Sequence, residues 1–317
     1  MSATIKDVAK LAGVSISTAS CALNEKGNVS DQLKDKIFKA AKKLNYHPNA
    51  AAKQLKTKKT NNIGVFIYGF SGPVFSEVLE GMNKAAQEEG YNLLVSSGSL
   101  SEKIINQRQI DGAIIFDSHI KDEVLINYSL SNYPVILLDR DLEGDNISRS
   151  IINNQEIVYN FILQMQKKYQ KIAMITGPND SYNALGRLEG YKEALKTKNL
   201  QPIIYKGDFT YESGIAIGQK LTKEDLPDLM FCANDETAIG LMEEMKKQGY
   251  KIPEDMAICG FDNILWTRHV EPQLTTIAIN HTEWGHDVAK SLINYLKTSK
   301  FLEIGDPKHE VIYRASA

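Results

Sequence analysis

Along the first fifty residues the apolar positions recur every three or four places. Ile5, Val8, Ala9, Leu11 and Ala12 follow Thr4-Ile5-Lys6-Asp7, which fits a capping box, the reciprocal Ser/Thr–acid start of a helix. Gly13 ends that helix and supplies a tight turn. Ser15 caps a second helix running to about Asn24, with Ala19, Ala22 and Leu23 inward. Ser30 caps a third, with Leu33, Ile37, Phe38, Ala41 and Leu44 inward. Two short helices joined at Gly13-Val14 read as a helix-turn-helix. Tyr46-His47-Pro48-Asn49 then breaks the third helix, because a proline disfavours a helical residue before it. A small-residue helical segment with one large apolar side chain, Leu55, leads into a basic linker ending near Thr60.

From Asn61 the period changes. Apolar runs at 63–68, 92–96, 112–116 and 135–138 read as strands, with helical stretches between them. A second series occupies 171–176, 202–205, 229–232 and 256–260. Strands alternating with helices predict parallel, doubly wound sheets, and two series predict two lobes. The predicted fold is an all-α helix-turn-helix headpiece on an α/β core of two such lobes.

Charge adds a direction. Residues 1–60 hold 12 Lys/Arg against 4 Asp/Glu, whereas the remainder holds 25 against 35. A basic end on an acidic body suits a polyanionic partner for the end alone; a basic solvated face is the bland alternative. In a helix-turn-helix the start of the second helix enters the major groove. Ile16, Ser17 and, one turn on, Cys21 are the outward candidates for base readout. Ser15, Thr18, Ser20 and Asn24 suit phosphate contacts. A generic three-helix bundle would show the same caps and periodicity.

The strand-end loops carry another chemistry. Tyr68-Gly69-Phe70-Ser71-Gly72-Pro73, Asp139-Arg140, Gly177-Pro178-Asn179-Asp180, Asn234-Asp235 and Asp262-Asn263 hold aromatics, amides and carboxylates. Ligands in open parallel sheets bind beyond the carboxyl ends of strands, so these loops suit a polyhydroxylated ligand. Loop capping is the competing explanation for any one of them.

Other classes recede. No run approaches the roughly 18 apolar residues that span a bilayer, and the first residues hold no apolar signal-peptide core, so the cytoplasm is the expected location. Cys21, Cys232 and Cys259 form no metal-ligand or C-x-x-C spacing and read as reduced thiols. No dinucleotide, phosphate-loop, nucleophile-elbow or zinc-protease motif occurs, so neither an enzyme nor a cofactor is indicated. His281 and His286 stand five apart, off one helical face, and no metal site is assigned to them.

The ordered run Thr4-Ile5-Lys6-Asp7-Val8-Ala9-Lys10-Leu11-Ala12-Gly13-Val14-Ser15, with Ser17-Thr18-Ala19-Ser20, Leu23-Asn24, Tyr46-His47-Pro48-Asn49 and Ala52-Lys53-Gln54-Leu55, resembles the headpiece and hinge of the lactose/galactose repressor family of bacterial transcription regulators. The resemblance continues through Leu138-Asp139-Arg140, Arg187-Leu188-Glu189-Gly190-Tyr191, Gly207-Asp208-Phe209-Thr210 with Gly214, Ala233 to Gly240, Gly260-Phe261-Asp262-Asn263 and Pro272 to Ile277. It implies a helix-turn-helix domain over 1–47, a hinge over 48–60 and a core over 61–317. The core lobes would comprise about 61–152 with 281–305, and 153–280 with 306–317, like periplasmic sugar-binding proteins.

It adds Thr4, Tyr46, Asn49, Ala52 and Lys53 to the DNA-contacting set and makes Leu55 a minor-groove wedge, which agrees with the physics of kinking an unstacked step. In the core it implies that Arg187 clamps effector hydroxyls, with Asp262 and Asn234 bonding to the same groups. Phe209 would stack on the effector, and Asp139 and Ser71, with Tyr68, Phe70 and Phe75, would close the pocket. The expected protein is a homodimeric repressor of sugar-utilisation genes. It would bind a pseudo-palindromic double-stranded operator under control of a mono- or disaccharide. A purine effector, or a transport-type sugar-binding protein without DNA function, is the alternative. Cys21 and Lys53 stand where the family usually has arginine, which predicts a different operator; Asn153 stands where it often has Asp or an aromatic. The segment from 97 to 111 is short for the family, and no leucine heptad follows Val311 that would predict a coiled-coil tetramer.

Overall fold

The structure, a computed structural model, describes residues 3–24, 28–47, 54, 59–98 and 100–317. The chain forms two compact units, 1–60 and 61–317.

In the first unit α1 (Ile5–Ala12), α2 (Ile16–Leu23) and α3 (Asp31–Lys43) surround a small core. The Thr4 N–H and hydroxyl both donate to the Asp7 carboxylate, at 2.9 and 2.7 Å, fixing the start of α1. These bonds hold the Asp7 carboxyl below its usual range. Gly13 ends the helix at φ 64°, the left-handed region that suits glycine. Val8, Ala9, Ala12, Ala19, Ala22, Ile37, Ala40 and Ala41 are buried, so mostly small side chains let the three helices approach closely. Phe38, expected inward, is 45% exposed. Ile37 and Ala41 lie four apart on the stripe that meets α1 and α2, and residue 38 sits about 100° round the helix from 37.

The second unit holds two sheets. β1 (Asn62–Ile67), β2 (Asn92–Ser97), β3 (Gly112–Phe116), β4 (Val135–Leu138) and β5 (Ile147–Ser150) form the first, all parallel, in the order β2-β1-β3-β4-β5. β6 (Ile172–Ile175), β7 (Ile203–Tyr205), β8 (Leu229–Cys232), β9 (Ala257–Asp262), β10 (Thr275–Ile279) and β11 (His309–Ile312) form the second, in the order β11-β10-β9-β8-β6-β7. Only β11 runs antiparallel to its neighbour. The central strands are buried along their length, as Val-Ile-Leu-Leu of β4 and Leu-Met-Phe-Cys of β8 show; helices on both faces of a parallel sheet require such continuous apolar runs.

Helices α4 (Pro73–Glu88), α5 (Ser101–Asn106) and α6 (Asp122–Leu130) belong to the first lobe. Helices α7 (Asn154–Met165), α8 (Tyr182–Lys196), α9 (Tyr211–Gly218) and α10 (Asp235–Lys247) belong to the second. The chain leaves β10 to form α11 (His281–Thr298), which packs on α4, β3 and β4 of the first lobe, and returns to the second as β11. Three connections therefore join the lobes, two of them flanking α11. α5 is only six residues long, and the edge strand β2 beside it leaves Leu94 and Val95 exposed.

Glycines set the helix pairing. A Cβ on Gly81 would stand 1.9 Å from the Thr282 carbonyl oxygen, and one on Gly285 2.1 Å from that of Val78, so α4 and α11 touch backbone to backbone. Gly190 meets the Gln155 carbonyl across α7–α8 at 2.3 Å, and Gly214 and Gly240 meet Thr237 and Tyr211 across α9–α10 at 2.1 and 2.0 Å. The motif glycines 190, 214 and 240 thus serve helix contact. Gly285→Ala is expected to destabilise the core by about 3 kcal/mol, the upper range for overpacking, because the obstructing atom is backbone and cannot swing away. Urea unfolding of the full chain reads this; a change under about 0.5 kcal/mol, the level of an innocuous surface change, would mean that the seam is loose.

Candidate DNA-reading face and effector cleft

The headpiece presents the start of α2 outward. Ser15, the N-cap, accepts the Thr18 N–H at 3.0 Å and pairs with the Thr18 hydroxyl at 2.8 Å. Ile16 is 47% exposed, Ser17 is exposed, and Thr18, Ser20 and Cys21 are half-buried. An exposed isoleucine at the first turn is unsupported by the headpiece core and is free to meet a base methyl. Asn24 folds back on its own helix, its amide donating to the Ser20 carbonyl at 2.8 Å. Tyr46 packs on the headpiece core, which leaves its ring to structure. Thr4 is exposed, but its hydroxyl is committed to Asp7. Asn49, Ala52, Lys53 and Leu55 lie outside the described residues.

In the core, the polar strand-end residues are drawn toward one arginine. Arg187, on α8, is only 4% exposed. Its Nε donates to Asn154 Oδ1 at 2.8 Å, one terminal nitrogen donates to the Ala233 carbonyl, and the other reaches Asp262 Oδ1 at 3.4 Å. Its guanidinium lies 3.6 Å from the centroid of the Phe261 ring and 5.7 Å from that of Phe209. Burial pulls its pKa down, and Asp262, Asp139 and Asp235 pull it back up. A guanidinium has five N–H donors; three are used here, leaving two for a ligand.

The network continues across the lobes. Asn154 donates to Asn183 at 2.6 Å, and Asn183 donates to Asp139 Oδ2 at 2.7 Å. Asp139 ends β4 of the first lobe at φ 51°, whereas Asn183 is on α8 of the second. Burial raises the Asp139 carboxyl above its usual range, opposed by the Asn183 bond. Behind Arg187, the buried Asp235 accepts from Thr276 Oγ1 at 2.6 Å and from the Ile264 N–H at 2.9 Å. It locks the start of α10 to the end of β9 and the start of β10, and burial raises its carboxyl well above the usual range.

Several expected pocket residues have structural duties. Asn234 caps α10 through Thr237 N–H, and its amide donates to the Phe209 carbonyl at 2.7 Å. The Phe209 ring lies where a Gly177 side chain would be, at 2.3 Å from the ideal Cβ. Phe75 packs edge-on to Phe116, which packs on Trp284. Tyr68 stacks on His119 at 4.8 Å, while Phe70, 70% exposed, and Ser71 are open. No described hydrogen bond joins Tyr68, Phe70 or Ser71 to the Arg187 cluster. Asn153 is exposed and caps α7; its neighbour Asn154, not singled out from sequence, enters the network. Asn183, Glu77 and His281 were also missed. Their only local signal was a polar residue near a helix start.

Tyr68 follows β1 and Asp117 follows β3, where strand order reverses in the first sheet; Gly177 and Ala233 occupy the matching place after β6 and β8. Such reversals open the crevice in which doubly wound sheets bind ligands. Two surface depressions, about 300 and 280 Å³, lie on the outside of α7–α8 and beside the start of β6. Neither contains a residue of the network, so the site is defined by buried polar geometry.

A basic three-helix unit displaying a recognition-type helix, with a two-lobed core built for a small ligand, defines a ligand-responsive DNA-binding regulator. Residues 4–49 match the model of bacterial regulatory proteins of the lacI family, and 165–317 that of the periplasmic binding protein-like domain. The HTH-type transcriptional repressor PurR of Vibrio atlanticus is 31% identical over 308 residues, covering 93% of this chain and 92% of that protein. The ribose operon repressor of Haemophilus influenzae is 31% identical over 311 residues, with the same coverage. The crystal structure of the Lac repressor dimer bound to operator and the anti-inducer ONPF, 25% identical, superposes with a TM-score of 0.85 over 100% of this chain and 99% of that one. The chain belongs to the lacI family of bacterial regulatory proteins, and is a DNA-binding transcriptional regulator, not an enzyme.

Proposed function

We propose that this regulator is a homodimeric repressor whose two α2 helices read a pseudo-palindromic operator and whose core releases it on binding a mono- or disaccharide. Ile16, Ser17 and Cys21 read bases; Ser15, Thr18 and Ser20 set register on phosphates; and the hinge residues Asn49, Ala52 and Lys53 lie along the minor groove, with Leu55 as its wedge. The headpiece spans 1–47, the hinge 48–60 and the core 61–317, and the protein works in the cytoplasm, where the DNA is. No helix among the described residues is long and apolar enough to cross a membrane.

The observation that carries the effector reading is the hydrogen-bonded chain Asp139–Asn183–Asn154–Arg187–Asp262, half-buried at Asp139 and Asn183 and buried beyond them, which runs from one lobe through the other. A ligand that bonds to both carboxylates and the guanidinium changes the angle between lobes, a hinge-type closure, and by linkage changes DNA affinity by the same factor that DNA changes its own. Similarity to a ribose operon repressor supports a sugar.

The test is calorimetric titration of the full chain with D-ribose, D-glucose, D-galactose, cellobiose and a purine base, with operator affinity measured beside each. One sugar should bind and shift DNA affinity at least fivefold. Response to the purine base alone would replace the sugar.

A further inference from the structure

One buried side chain in the cleft makes no hydrogen bond among the described residues. His281, the first residue of α11, is 2% exposed, and neither ring nitrogen has a hydrogen-bond partner among the described residues. A buried polar atom left without a partner is costly, and the few that persist call for an explanation. The ring is held in place: Asn280 caps the helix beneath it through the Glu283 N–H, and Trp284 lies 6.4 Å away on the same helix. The cost is therefore not relieved by a simple turn into solvent.

Its surroundings show what would relieve it. His281 Nε2 stands 3.7 Å from Asp262 Oδ1, beyond hydrogen-bond length. One oxygen placed about 2.8 Å from both atoms, an ordinary hydrogen-bond distance, closes the triangle. Glu77, from α4, is close enough to feel both His281 and Asp262, and Asp139, at the end of β4, feels His281. Burial raises the Glu77 carboxyl, and the imidazole opposes that rise. Three carboxylates from three elements thus contribute negative charge around His281, against Arg187 from α8 and the exposed Arg268.

We propose that His281 and Asp262 form a hydroxyl-binding corner of the effector cleft, and that the effector is an uncharged sugar rather than a phosphorylated one. A sugar hydroxyl donates to a carboxylate while accepting from the imidazole N–H, so one group satisfies both sides. A phosphate only accepts at neutral pH and would meet three carboxylates in a low-dielectric cleft, where like charges repel strongly. His281 is thus a specificity-determining residue of the site proposed above, and the inference rests on that sugar reading.

The test uses the full chain labelled with ¹⁵N-histidine, the His281 ring signals being assigned by their loss in His281→Gln. D-ribose, D-glucose and D-galactose are titrated beside D-ribose 5-phosphate, D-glucose 6-phosphate and D-glucosamine. A neutral sugar should bind and move the His281 ring nitrogens, and its phosphate ester should bind at least tenfold more weakly. His281→Phe should lose at least tenfold in affinity for that sugar with its circular dichroism and melting retained, and His281→Gln, which can still donate and accept, should lose less. If a sugar binds while the His281 signals and the His281→Phe affinity stay unchanged, the corner is refuted and the sugar reading survives. Tighter binding of a phosphate ester or of glucosamine also refutes the corner. If neither these probes nor cellobiose bind, both readings fall.

Discussion

Arg187→Met is expected to lower core stability by about 3–5 kcal/mol, the usual cost of breaking a buried charge pair from one side, and to abolish effector binding. Arg187 is 4% exposed and supplies bonds to Asn154, Ala233 and Asp262, each from a different element. Methionine fills similar volume over Phe261 but leaves the Asn154 oxygen, the Ala233 carbonyl and the Asp262 carboxylate in a dry site. Asp139 loses a charge that helps hold its carboxyl down, so its pKa should rise further. Arg187→Lys is the informative companion. It keeps one positive charge and loses the planar fork, so it should recover part of the stability but little of the effector affinity. Urea unfolding and sugar calorimetry on the two variants separate charge from geometry. Full effector affinity in either would remove Arg187 from the site.

Ile16→Glu is the second large effect, with the opposite profile. The side chain is 47% exposed at the first turn of α2 and belongs to no buried cluster. Near a helix N-terminus a carboxylate is stabilising by a few tenths of a kcal/mol, so the fold should be unharmed. Against a phosphate-lined groove the same charge loses an apolar base contact and adds repulsion. Operator affinity should fall at least 100-fold, about 2.7 kcal/mol at 1.4 kcal/mol per tenfold, with melting and effector affinity unchanged. Fluorescence anisotropy with a labelled operator reads it. Unchanged affinity would show that α2 does not enter the groove this way round.

These two residues also mark what sequence could and could not reveal. The headpiece was legible because its signals are local: Thr4 and Asp7, Gly13, and Ser15 each act within one turn. Most central strands were legible because burial on both faces leaves uninterrupted apolar runs; β10, which opens on Thr275 and Thr276, was not read as a strand. β5 and β11 were not: Ile-Ser-Arg-Ser and His-Glu-Val-Ile are short, partly exposed edge segments whose pairing is set by neighbours far along the chain. Phe38 was misplaced because a hydrophobic side chain just off the packed stripe looks the same in sequence as one on it. In the cleft, Arg187 and Asp262 could be named from family motifs. Asn183, 44 residues from its partner Asp139, and His281, near Asp262 only through the return of α11, become visible once the lobes are assembled. Asn234 carries the motif and yet spends its amide on the Phe209 carbonyl and the α10 cap, which shows that a motif position can be structural.

The most direct test is selection of random DNA duplexes by the purified full chain, with and without each sugar of the panel. The account predicts enrichment of a pseudo-palindrome with a central step that kinks easily, weakened by one uncharged sugar and restored on its removal. Retention of all duplexes alike, with sugar binding intact, would contradict it: the core would be a receptor and its headpiece no reader of sequence.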